Sequence, residues 1–105
     1  MKKVYLVSSI FVETIDGEET SHIEHFVEAC SSLKIALARI DKHVDDAAKS
    51  APSNYRVPVE VSIRIENDGD DHAKTVIVNT GYGMIEETTY FVREFTIDDF
   101  EDDPS

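Results

Sequence analysis

Four groups of residues in this 105-residue sequence carry atoms that could do chemistry. His22-x-x-His25 followed by Cys30 offers imidazole and thiolate, the ligands zinc prefers. The spacing matches no structural zinc pattern, nothing local draws His43 or His72 to it, and on a strand His22 and His25 would face opposite sides. Asn67-Asp68-Gly69-Asp70-Asp71 gathers oxygen ligands around a glycine as calcium loops do. It lacks the alternating acids and distal glutamate of a calcium loop, and a solvated turn accounts for the same residues. Thr80-Gly81-Tyr82-Gly83 could bring backbone amides to a phosphate, but no helix and no Gly-Lys-Ser/Thr follows it, which leaves a glycine turn carrying Tyr82. Cys30 with His25 or His43 is the available nucleophile and base pair. Cysteine is also among the most buried residue types, and no carboxylate is marked by an apolar setting that would raise its pKa. No catalytic residue, metal ligand or cofactor is assigned, and the expectation is a protein without enzyme activity.

The stronger signal is electrostatic. Lys and Arg number 10 against 22 Asp and Glu, a formal charge of −12. That balance excludes non-specific affinity for nucleic acid or anionic lipid and favours solubility or a cationic partner. The acids fall in clusters: Glu13, Asp16, Glu18, Glu19, Glu24 and Glu28; then Asp41, Asp45 and Asp46; then Asp68, Asp70 and Asp71; then the tail after Ile97. Carboxylates displayed in this way can occupy the cationic groove of a nucleic-acid-binding protein. The composition is similar to that of small phage-encoded inhibitors of restriction or CRISPR systems, a likeness that rests on no motif. The same charge could equally serve solubility alone.

These groups need elements to hold them. One domain is expected at this length, with residues 1–97 forming it and 98–105 a flexible acidic tail. No run is long and apolar enough to span a bilayer, and the single cysteine rules out an intrachain disulfide, which fits a reducing cytoplasm. Val4 to Val12 reads as a strand apolar on both faces, ending near the turn pair Asp16-Gly17. Residues 18–50 admit two readings. In one, Asp16-Gly17 closes a hairpin, Thr20 to Ala29 is a second strand, and Ser31 or Ser32 caps a helix from Leu33 to Lys49. In the other, Ser21 and Glu24 form a capping box and one helix runs from His22 to about Lys49, because Ile23, Phe26, Cys30, Leu33, Leu37, Ile40 and Val44 recur at spacings of three and four. The hairpin is preferred, since Ser31 and Ser32 would fall inside that helix and residues 20–27 have little helix propensity.

Ala51-Pro52-Ser53-Asn54 should end the helix. Val57, Val59, Val61, Ile63 and Ile65 then alternate with polar residues, predicting a strand with one buried face, at an edge because Pro58 lacks an amide hydrogen. Lys74 to Thr80 returns antiparallel, Gly81 and Gly83 turn the chain, and Glu87 to Ile97 closes the domain, apolar on both faces. The fold class is α+β, an antiparallel sheet of four or five strands with one helix on one face, in the order β-β-α-β-β-β, or β-α-β-β-β with the long helix. A helix about 10 Å wide covers one face and about two strands at about 4.8 Å spacing. Tyr5, Val7, Phe11, Tyr90, Phe91 and Phe95 therefore cannot all lie under it, and the remainder should form an interface.

The functional expectation is a non-enzymatic protein-binding domain. It would block the nucleic-acid site of a basic partner with Glu13, Asp16, Glu18, Glu19, Glu24 and Glu28, with Tyr82, Tyr90 and Phe91 as aromatic anchors. The alternatives are a homodimeric assembly domain whose charge serves solubility, and a small-molecule module with a pocket between sheet and helix or at a dimer seam. Direct contact with nucleic acid or membrane is not expected.

Overall fold

The computed structural model describes residues 2–55, 58–68 and 71–97. The chain runs β1 (Lys2–Ile15), β2 (Glu18–Cys30), α1 (Leu33–Ser50), a 3-10 turn (Ala51–Asn54), β3 (Glu60–Asp68), β4 (Asp71–Asn79) and β5 (Met84–Ile97). All five strands join one antiparallel sheet in the order β2-β1-β5-β4-β3. This is the α+β fold in its hairpin form. The acidic tail, the centre of the Asn67–Asp71 turn and Val57 lie outside the described residues.

The hairpin prevails over the long helix because Asp16 and Gly17 both take left-handed backbone, φ 51° and 85°, the two-residue turn whose twist matches paired strands. Once that turn reverses the chain, residues 18–30 gain a ladder along β1, from Ile15 opposite Glu18 to Tyr5 opposite Cys30. Ile23 and Phe26, which mimicked a helical stripe, are exposed on this strand. The stripe reaches the core only after Ser32, whose hydroxyl accepts from the Ile35 N–H at 3.2 Å and caps α1. From there Ala36, Ile40 and Val44 are buried.

Helix α1 has 18 residues, about 27 Å of length, against about 24 Å for a sheet of five strands. It touches every strand. The expectation that it would cover about two strands is therefore corrected: it crosses the strands instead of lying along them. Its buried side chains meet Val7, Cys30, Val76 and Val78, with Tyr5, Tyr90 and Val92 half-buried around them. The alternation of β3 is also corrected. It begins at Glu60, past Pro58, at the sheet edge as expected, but Ile63 and Ile65 on its helix side remain 48% and 57% exposed because α1 does not reach them.

The opposite face of the sheet carries no helix. Leu6, Ser8, Ile10 and Val12 of β1 alternate with the buried positions Val7 and Ser9, so they project away from α1, as do their cross-strand partners Arg93, Phe91, Thr89 and Glu87. Thr75 on this face is the exception to its exposure, fully covered by neighbours and hydrogen-bonded to the Thr89 hydroxyl at 2.8 Å.

Candidate functional site

The tightest polar cluster ties the edge strand to the helix. A register shift beside Val7 lets both Val27 and Glu28 lean toward α1. Glu28 accepts from Arg39 Nε at 2.7 Å, faces His43 Nε2 at 3.0 Å, and accepts from the Cys30 thiol at 3.7 Å. These bonds, Arg39 first and His43 second, hold its carboxyl at about pH 2. The other face of His43 stacks on Tyr90, with centroids 5.7 Å apart and planes at 9°. Burial pushes the Cys30 thiol up, and the adjacent Glu28 charge adds to this. Glu28 lies between thiol and imidazole, so this geometry suppresses the thiolate that a nucleophile needs. The cluster is a brace between β2 and α1.

His22 and His25 pair with Val12 and Ser9, which point to opposite faces of the sheet. His22 instead bonds Glu19 at 2.9 Å. Among the described residues no group of three His, Cys, Asp or Glu side chains could hold a metal ion. Open clefts flank the helix, the largest about 500 Å³ between Tyr5, Leu33, His72, Val92 and Phe95.

A different set of candidates does assemble. The β1–β2 turn and the β4–β5 loop meet at one end of the sheet, where the Asp16 N–H donates to the Gly83 carbonyl at 2.9 Å. The Asp16 carboxylate occupies the space a side chain at position 83 would need, and Gly83 has φ 84°. The loop is braced from within. The Asn79 side chain accepts from the Gly81 N–H at 2.8 Å, and the Thr80 hydroxyl accepts from the Tyr82 N–H at 3.3 Å and donates to the Met84 carbonyl at 3.1 Å. Tyr82, 78% exposed, is thus presented from an ordered backbone.

Around it stand Asp16, Glu18 and Glu19 on the hairpin, and Glu13 directly opposite Glu86 across β1 and β5. Burial, and then the charge of Glu13, raises the pKa of Glu86. None of the ion pairs among the described residues involves Glu13, Asp16, Glu18 or Glu86. An aromatic tip ringed by carboxylates can receive a cationic surface and repels phosphate, which disposes of the glycine loop as an anion cradle.

The remaining candidates lie elsewhere. Tyr90 is not free to anchor a partner, because it is half-buried under α1 against His43, and Glu28 is committed to the brace. Glu24 sits on the helix-free face with Arg93, 3.6 Å away, and Phe91 lies on that same face beneath the Arg93 guanidinium. Sequence reasoning missed Glu86. Its local setting, Ile85-Glu86-Glu87-Thr88, has no feature that separates it from other surface acids, and only the pairing register places it opposite Glu13.

No helix among the described residues is long and apolar enough to cross a membrane. Comparison with protein-family models, with curated proteins and with solved structures finds no match to this chain.

Proposed function

We propose that this chain is a non-enzymatic protein-binding domain that presents its acidic, tyrosine-tipped end to a cationic partner and competes there with nucleic acid, as an inhibitor of a nucleic-acid-handling protein. The observation that carries this reading is the junction of the Asp16-Gly17 turn with the Gly81-Tyr82-Gly83 loop. It sets one exposed aromatic ring among Glu13, Asp16, Glu18 and Glu86, with no paired cation among the described residues. Rigid aromatic anchors within a charged rim are how compact interfaces gain affinity and fast, salt-sensitive association. The unactivated Cys30 fits a non-catalytic role, and a lone buried thiol fits a reducing compartment such as the cytoplasm.

The test is capture from a bacterial lysate on the immobilised chain at low salt, followed by elution with duplex DNA. Proteins that bind DNA, are displaced by it, and fail to bind a Glu18→Lys/Glu19→Lys/Tyr82→Ala variant support the reading. Retention of the same proteins by that variant, or indifference to DNA, overturns it.

A further inference from the structure

We infer that the helix-free face of the sheet is covered by the same face of a second copy of this chain. Val4, Leu6, Ile10 and Val12 of β1, Ile85, Phe91, Phe95 and Ile97 of β5, Ile77 of β4 and Phe26 of β2 all project from it by the observed register. Phe26 is 64% exposed, and no element of the chain comes over it. Monomeric proteins rarely leave a contiguous apolar surface of this kind open to water.

Two properties select a copy of the chain as the occupant. The first is charge. The chain as a whole carries −12, but this face holds Lys2, Arg64 and Arg93 against Glu19, Glu24, Glu60 and Glu87, close to balance. Two of these acids are already neutralised within the face, Glu24 by Arg93 at 3.6 Å and Glu87 by Arg64 at 4.0 Å. A strongly cationic partner therefore finds no complement here, whereas an identical face meets its own near-neutral, self-complementary pattern.

The second is area. Five strands at about 4.8 Å spacing, with about 9 residues of common length at about 3.4 Å each, make a face of roughly 700 Å². A standard interface takes about 800 Å² from each partner, so one such face against another is the size a stable dimer needs. Two sheets stacked in this way form a sandwich with their helices on the outside. The acidic ends remain free, so this inference stands apart from the proposed binding of a cationic partner.

Sedimentation of the full chain across a wide range of micromolar concentration tests it. The expected mass is twice that of the 11.8 kDa chain. Ile10→Asp and Phe91→Asp should sediment as monomers. Phe26→Ser, which removes an exposed ring that the monomer core does not use, should weaken the dimer without loss of circular dichroism. Ile35→Asp on the outer side of α1 should leave it intact. A wild-type monomer at every concentration overturns the inference, as does a dimer that survives all three substitutions on the helix-free face.

Discussion

Replacing Glu28 with Gln probes the brace between the edge strand and the helix. The folded state holds this carboxyl at about 2, against an ordinary 4.5 in the unfolded chain, mainly through Arg39 and then His43. At about 1.36 kcal/mol per unit, that difference sets a ceiling of about 3 kcal/mol on what ionised Glu28 adds to stability. The side chain is 25% exposed and water screens the pair, which reduces the expected loss in Glu28→Gln to about 1–2 kcal/mol at neutral pH.

Because the folded pKa lies below the unfolded one, this stability is complete above about pH 4.5 and vanishes as pH falls toward 2. Urea unfolding of both proteins at fixed protein concentration, stepped from neutral pH downward, measures the gap directly. The gap should stay constant down to about pH 5 and then close, even as other carboxylates titrate, since those are common to both proteins. In an Arg39→Gln background the same Glu28→Gln change should cost less, because its main partner is gone. Equal stabilities at pH 7, or a gap that persists undiminished at about pH 2, would refute the assignment of this ion pair as the brace.

Three further outcomes follow from the same structure. Gly81→Ala and Gly83→Ala each force a side chain into left-handed backbone, at about 1 kcal/mol; only Gly83→Ala also displaces the Asp16 carboxylate, so it should show the larger drop in thermal midpoint. Ile40→Ala empties the largest fully buried side-chain site and should cost about 2–5 kcal/mol by chemical denaturation, while Ile35→Ala on the exposed side of the same helix should cost under about 0.5 kcal/mol. Cys30, buried and with its thiol pKa raised, should be silent to a thiol reagent at mildly alkaline pH in the native protein and react fully in denaturant.

Those predictions draw unevenly on what could be read beforehand. Local chemistry was legible. Asp16-Gly17 as a hairpin turn, Ser32 as a helix cap, Ala51-Pro52 as a helix end and the double-sided strands at both ends of the chain each follow from steric or hydrogen-bonding preferences within a few residues. The bare sheet face was legible too, since a single helix cannot cover two faces. The choice at residues 18–30 was not, because Ile23, Phe26 and Cys30 satisfy a helical period as well as a strand, and only pairing along β1 decides between them.

The candidate site divides in the same way. Its ingredients, an acidic hairpin and a glycine loop carrying Tyr82, stand in the sequence, whereas their meeting depends on Ile15 pairing with Met84 across β1 and β5. Register also placed Glu86 against Glu13, and removed Tyr90 and Glu28 from the candidates by turning them under α1. Sequence by itself determined where the chain turns, caps and alternates, because those preferences act over a few bonds. Only the tertiary structure decided which carboxylates gather and which aromatics stay in water, because strand partners distant in sequence set the face to which each side chain points.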